Sequence, residues 1–127
     1  MSTSFYVTAP IYYVNAEPHI GHTYTTVLAD TLTRYHRLCG ENAFMLTGGD
    51  EHGEKILEAA EQRGMPVAEA ASEYSQLFQE TWAELGIRVD GFVRTTAPQH
   101  EKVVSDILQQ VYDAGDIEFR EYDGLYC

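Results

Sequence analysis

The stretch FYVTAPIYYVNAEPHIGH, residues 5–22, decides the fold, because it passes from a strand pattern to the start of a helix. Phe5–Thr8 is short, aromatic and β-branched, which is typical of a buried strand. Residues 10–18 are bounded by two prolines and are predicted to form a loop. A helix is expected from about His19 to Leu38, so the loop leads directly into the first helical turn.

The pattern beyond this stretch repeats the same alternation. In the first helix, apolar residues recur every three or four positions, and Gly40 is expected to end it with a left-handed cap. These apolar positions are Ile20, Tyr24, Val27, Leu28, Leu32 and Tyr35. Further elements are predicted as a strand at 43–47, helices at about 51–63 and 68–85, a strand at 92–96 and a helix at 98–114. Strands that alternate with helices predict an α/β fold with a parallel sheet flanked by helices.

Composition limits the possible functions. The chain has 127 residues, with 8 basic against 20 acidic side chains and a formal net charge of −12. Because nucleic-acid affinity depends largely on Lys and Arg, little nucleic-acid binding is expected from this acidic segment alone. No stretch approaches the roughly 18 apolar residues of a membrane helix, and no signal peptide is visible. Cys39 and Cys127 are too far apart in sequence to suggest a disulfide framework, so a cytoplasmic setting is expected.

His19 and His22 form the most informative pair of side chains. They stand three residues apart in the first turn of a helix and therefore face the same way. The turn lies at the carboxyl end of a strand, where open parallel sheets bind ligands. Helix N-termini favour phosphate, and Gly21 lets a ligand approach the backbone. The arrangement indicates a nucleotide phosphate cradle, although such spacing alone also fits incidental surface histidines or a partial metal site.

Two further polar residues lie near the expected ends of the strands. Asn15 could contact the nucleotide or shape the turn through its own backbone. Asp50 follows a Gly-Gly pair and could bind the ammonium group of an amino acid, or it could cap a turn. The adjacent Glu51 and His52 do not suggest a metal site, because neighbouring residues rarely converge on one ion.

The longer sequence motifs resemble those of a known protein family. HIGH, residues 19–22, after an N-terminal strand resembles the signature of class I aminoacyl-tRNA synthetases. Three stretches of the sequence resemble those of methionyl-tRNA synthetases of the bacterial type. They are TAPIYYVNAEPHIGH (8–22), LTGGDEHGEK (46–55) and AGDIEFREYDGLYC (114–127). The similarity extends over essentially the whole chain. It implies a Rossmann-like fold, with residues 1–117 as the N-terminal half of the catalytic domain and residues 118–127 as the start of a zinc-bearing connective insertion.

The resemblance also implies an activity. Methionine would be activated with ATP, accompanied by Mg²⁺, to methionyl adenylate and then transferred to tRNA(Met). His19 and His22 would be catalytic, and together with Gly21 and Asn15 they would bind ATP. Ile11, Tyr13 and Asp50 would bind methionine, whereas Tyr12 is better explained as a core residue. The segment lacks the family's KMSKS loop and anticodon domain, so it is expected to be inactive alone.

Two positions complicate the resemblance. The family usually has Thr where this chain has Gly49, which removes a hydroxyl beside Asp50. Cys127 matches the first cysteine of a zinc knuckle, but one thiolate cannot make a four-ligand site, so zinc is expected only if the chain continues. The alternatives are another nucleotidylyl transferase with a His-x-Gly-His motif, or a non-catalytic binding module of the same fold.

Three predictions concern packing and the tail. Phe78, Trp82 and Leu85 are spaced three and four apart on a helix and are predicted to lie in the core. Cys39 is predicted to be a small buried residue. The Asp123-Gly124 pair predicts a tight hairpin turn, and the chain is expected to be part of a longer protein.

Overall fold

The computed structural model describes residues 3–121 and Gly124. The chain divides into two compact units, Met1–Ala97 and Pro98–Cys127. The elements of the first unit are β1 Ser4–Tyr13, α1 Ile20–Leu38, β2 Asn42–Asp50, α2 Glu54–Arg63, α3 Val67–Glu84 and β3 Gly91–Arg94. The second unit contributes α4, Pro98–Asp113. The predicted hairpin turn at Asp123-Gly124 includes Asp123, which lies outside the described residues.

The three strands form a parallel sheet in the order β1-β2-β3, which confirms the predicted α/β architecture. β1 is longer than predicted, since it continues past Pro10 to Tyr13. Its register against β2 shifts between Thr8 and Ile11. Proline has no N–H to give to a ladder and is confined to strand edges and bulges, so this irregularity lets the strand continue through Pro10. Tyr13 therefore pairs with Asp50 at the end of the sheet.

The core of the first unit lies between the sheet and helices α1 and α3. It comprises Ala9, Tyr12, Val14, Ala29, Met45, Phe78, Trp82 and Ile87. The prediction that Phe78 and Trp82 are core residues is confirmed, since both are buried. Two predictions are wrong: Leu85 is 53% exposed, because α3 ends at Glu84 and Leu85 belongs to its C-cap, and Cys39 is exposed beyond the end of α1.

Helix α1 packs on the sheet through its small and polar face. Thr26, Ala29, Asp30 and Thr33 are buried, whereas the apolar positions that predicted the helix are all exposed in the described structure. The buried hydroxyls are satisfied within the helix, because Thr26 donates to the His22 carbonyl at 2.9 Å and Thr33 to the Ala29 carbonyl at 2.8 Å. The periodicity thus identified the helix correctly but did not identify the face that packs on the sheet.

Helix α4, considered within its own unit, has no buried residue among those described. Its apolar side chains Val103, Val104, Ile107 and Leu108 are exposed. Its observed bounds agree with the predicted helix at 98–114. Among the described helices, none combines the length and the hydropathy needed to cross a membrane.

Gly48 and Gly49 lie in β2, the central strand of the described sheet, and neither has room for a side chain. A Cβ at Gly48 would collide with the backbone carbonyl of Val93 on β3. A Cβ at Gly49 would come within 2.8 Å of Val14 Cγ1 and 3.0 Å of Ser75 Oγ. Local packing therefore requires glycine at both positions, including Gly49.

We expect Gly48→Ala to lower the free energy of unfolding by about 2 kcal/mol, because a backbone carbonyl in a sheet cannot move aside cheaply. Gly49→Ala is the matched control, with a cost of about 1 kcal/mol, since it displaces only side-chain atoms. Urea denaturation of the two variants measures the difference. A smaller loss for Gly48→Ala than for Gly49→Ala would contradict the prediction.

Candidate functional site

A cavity of about 370 Å³ opens where β1 ends and α1 begins. Its lining residues are Ile11, Tyr12, Tyr13, Asn15, Ala16, Glu17, His19, His22 and Lys55. Five of the residues predicted from the sequence therefore line one cavity: Ile11, Tyr13, Asn15, His19 and His22. A second cavity of about 490 Å³, between Glu17 and the outer side of α2 and α3, contains none of the predicted residues. The first cavity is therefore the candidate site.

The two histidines cap helix α1 with their own rings. His19 is the N-cap, and its Nδ1 accepts the Gly21 N–H at 3.1 Å. His22 Nδ1 accepts the His19 N–H at 3.2 Å, and the two rings stack with centroids 3.8 Å apart. Because each Nδ1 is an acceptor, each neutral ring carries its proton on Nε2. The pair therefore supplies two Nε2–H donors at the rim of the cavity.

This geometry changes the expected role of the helix terminus. Helix N-termini favour phosphate, but two N–H groups at this one, those of His19 and Gly21, are occupied by imidazole nitrogens. The Nε2–H groups of the rings add to the donors that this helix terminus offers to an anion. At Gly21, an added Cβ would lie 2.9 Å from His19 Cε1, so glycine lets this ring fold back over the helix. Room for a nucleotide at Gly21 stays a prediction.

His22 is the less exposed ring of the pair. It lies against Tyr12 at 4.8 Å and Phe78 at 5.1 Å between ring centroids. This partial burial lowers the pKa of His22 below its ordinary value, and the neighbouring His19 lowers it further. His22 is consequently neutral at pH 7 and acts there as a hydrogen-bond donor without a positive charge.

The alternation of β1 separates the tyrosines. Tyr12 is 7% exposed, and its hydroxyl lies 2.7 Å from Thr25 Oγ1 and 2.9 Å from Thr26 Oγ1, which confirms its assignment to the core. Ile11 and Tyr13 are 48% and 59% exposed on the other side of the strand. They present apolar and aromatic surface to the cavity, and methionine binding by these two residues stays a prediction.

Lys55 was missed by the sequence analysis. It comes from the first turn of α2, and its Nζ lies 5.8 Å from the centroid of the Tyr13 ring. No spacing signal connects it to the histidines, because it reaches the cavity from a different helix. It adds a positive charge to a lining that also contains Glu17 and the two histidines.

Asp50 lies at the end of β2, beside Tyr13 of β1, and is not among the residues that line the cavity. Its Oδ1 accepts the His52 N–H at 3.2 Å and faces the Thr95 hydroxyl at 3.5 Å. The carboxylate is partly exposed and stands at the same carboxyl edge of the sheet as the cavity. The structure therefore brings Asp50 next to the cavity residues without placing it among them.

Glu51 points in the opposite direction, into the protein. Its side chain is fully buried and forms an ion pair with Arg94 at 2.5 Å. Ser75 donates to it at 2.5 Å, and Thr96 also donates to it. Burial raises the pKa of Glu51, but the bonds from Arg94, Ser75 and Thr96 outweigh that effect and hold the pKa below its ordinary value. This carboxylate therefore ties the end of β2 to α3 and to the segment after β3.

The comparisons with known proteins agree with this architecture. The chain belongs to the family described as tRNA synthetases class I (M), whose model matches residues 5–127. It is 51% identical to a methionine–tRNA ligase of Deinococcus radiodurans, over 96% of this chain and 18% of that protein. It is 47% identical to the corresponding ligase of Thermotoga maritima, over 97% and 20%.

A solved structure of a similar protein has the same fold. Mycobacterium tuberculosis methionyl-tRNA synthetase in complex with methionyl-adenylate superposes with a TM-score of 0.86 at 38% identity, covering 89% of this chain and 22% of that one. The Rossmann-like fold of a class I synthetase is thereby confirmed. The chain spans about a fifth of the length of the curated relatives that it matches.

We expect His22 to titrate below its ordinary value of 6.5 in an NMR pH titration of the ring protons, because the folded environment disfavours the charged ring. His19→Gln should leave most of the depression in place, since burial is its larger cause. The unfolded chain takes up a proton at His22 before the folded chain does, so this group lowers stability as the pH falls below about 6.5. A His22 pKa at or above the ordinary value would contradict the assignment.

Proposed function

We propose that this chain is the N-terminal part of the catalytic domain of a methionine–tRNA ligase, with residues 1–117 in the Rossmann-like half and residues 118–127 beginning the connective insertion. The enzyme activates methionine with ATP to methionyl adenylate and transfers the aminoacyl group to tRNA(Met). The proposal is supported by family membership, by sequence similarity to methionine–tRNA ligases and by the histidine-lined cavity. The observation that carries the proposal is the stacked imidazole pair with both Nε2–H groups available as donors.

The first step needs positioning rather than a strong base. The methionine carboxylate is already ionised at neutral pH, and one of its oxygens attacks the α-phosphorus of ATP. A carboxyl oxygen–phosphorus bond forms, the bond to the β-phosphate oxygen breaks, and pyrophosphate leaves. The Nε2–H groups of His19 and His22 donate hydrogen bonds to the phosphate oxygens as negative charge develops on them.

The two substrates approach from different sides of the cavity. Methionine places its thioether against Ile11 and Tyr13 and its ammonium group against Asp50, while ATP lies over Gly21, the histidines and Asn15. Mg²⁺ accompanies ATP as part of the substrate. The apolar, exposed side chains of β1 and the partly exposed carboxylate at the end of β2 support this division.

The remaining partners depend on residues outside this segment. With a net charge of −12, the segment offers little attraction for tRNA, so the tRNA contacts are assigned to other parts of the enzyme. Cys127 lies outside the described residues and would supply one thiolate to a zinc site in the insertion. The well-separated cysteines support a cytoplasmic enzyme.

The chain alone is expected to show very weak methionine-dependent exchange of pyrophosphate into ATP, or none, because it lacks the charges that a KMSKS loop supplies. The assay uses purified residues 1–127 and compares them with the full-length enzyme. Full turnover by the isolated chain would contradict the prediction.

In the full-length enzyme, His22→Ala is expected to lower the rate of methionine-dependent exchange by about 100-fold, since it removes one donor to the developing phosphate charge. His100→Ala is the matched control, because this histidine lies on α4 and does not line the cavity. Unchanged exchange in His22→Ala would contradict the role of this ring, and a wild-type enzyme without exchange would favour a non-catalytic binding module. A preference for another amino acid in calorimetric titrations would favour a different nucleotidylyl transferase.

A further inference from the structure

Thr95 occupies the centre of a hydrogen-bonded cluster beside the candidate site. It follows β3 directly, is 8% exposed, and belongs to none of the sequence motifs discussed above. Its Oγ1 lies 2.9 Å from the Glu51 backbone N, 3.0 Å from His52 Nδ1 and 3.5 Å from Asp50 Oδ1. One hydroxyl group therefore contacts three consecutive residues: Asp50, the last residue of β2, and Glu51 and His52, which follow it.

The donors and acceptors around the Thr95 hydroxyl determine the direction of its hydrogen bonds. A threonine hydroxyl has one proton to donate and two lone pairs to accept with. The Glu51 N–H occupies one lone pair. The carboxylate of Asp50 can only accept, so the Thr95 hydroxyl donates its proton to Asp50 Oδ1. The second lone pair of Thr95 Oγ1 then accepts the Nδ1–H of His52. With this assignment every hydrogen-bonding position of Oγ1 is used.

The surroundings hold Thr95 in place. Its backbone N–H donates to the Gly49 carbonyl at 3.3 Å, which extends the pairing of β2 with β3 by one residue. The preceding residue, Arg94, forms the ion pair with the buried Glu51 carboxylate. Glu51 is anchored inward while its backbone N–H reaches Thr95, so the hydroxyl is fixed relative to Asp50 from two sides.

We infer that Thr95 is a positioning residue for Asp50: its hydroxyl orients the carboxylate that receives the ammonium group of the amino-acid substrate. This inference rests on the proposed function, because it assumes that Asp50 binds methionine. A fixed carboxylate loses less conformational freedom when the ammonium arrives, so binding is tighter than to a freely rotating one. The bond, at 3.5 Å, is long and is expected to shorten when substrate binds.

The test uses Thr95→Val in the full-length enzyme, because valine keeps the shape of threonine and removes the hydroxyl. We expect the KM for methionine in pyrophosphate exchange to rise about tenfold, which is the effect of losing one hydrogen bond to a charged group. The KM for ATP should change by less than about twofold, because Thr95 does not line the histidine cavity. Thr95→Ser retains the hydroxyl and should restore the methionine KM.

Two competitive inhibitors distinguish orientation of Asp50 from general damage. Methioninol keeps the ammonium group, and its Ki should rise in Thr95→Val by the same factor as the methionine KM. The acid 4-(methylthio)butanoate lacks the ammonium group, and its Ki should stay unchanged. In an Asp50→Asn background, Thr95→Val should produce no further increase in the methionine KM.

Several results would overturn the inference. These are an equal loss for both inhibitors, a methionine KM that Thr95→Val leaves unchanged, and a Thr95→Ser variant as impaired as Thr95→Val. If Thr95→Val does not fold in a thermal unfolding assay, Thr95→Ala serves instead, and failure of both to fold would show that the hydroxyl is structural. Wild-type enzyme without methionine-dependent exchange would overturn the proposed function as well, whereas normal wild-type exchange with unselective variants overturns only the role of Thr95.

Discussion

The parallel pairing of β1 with β2 is the constraint on which the candidate site depends. It places Tyr13 beside Asp50 at one edge of the sheet, so a residue of the cavity and the candidate carboxylate become neighbours. The irregularity at Pro10 is part of this arrangement, because it allows β1 to reach Tyr13 with the alternation needed to bury Tyr12. A strand that ended at Thr8 would leave both tyrosines in a loop without a defined direction.

The start of α1 combines capping with chemistry. Serine, threonine, asparagine or aspartate usually caps a helix, whereas here two imidazoles accept the N–H groups of His19 and Gly21. The capping bonds fix the tautomer of each ring and leave the Nε2–H groups as donors. Burial against Tyr12 and Phe78 keeps His22 uncharged, so the aromatic core sets the protonation state of a residue at the cavity.

Around Glu51 and Thr95, polar contacts join elements that are far apart in sequence. The buried Glu51 carboxylate connects β2 with Arg94 of β3 and Ser75 of α3, and Thr95 connects the same region with Asp50. Removing one partner of such a network leaves a buried charge unsatisfied, which is costly. The network therefore gives the carboxyl edge of the sheet a defined geometry, which a cavity lined by short loops could not supply alone.

The sequence by itself determined the alternation of strands and helices, the histidine pair and the family resemblance, because these depend on residues close together along the chain. Asn15 and the two histidines could be named in advance from one continuous stretch, and Ile11 and Tyr13 of the same stretch through the family resemblance. Lys55 and Thr95 could not, because only the folded sheet brings them to the site. The tertiary structure also decided which face of α1 is buried, since close packing on the sheet favours small side chains such as Ala29 and Thr33 over the more apolar stripe opposite.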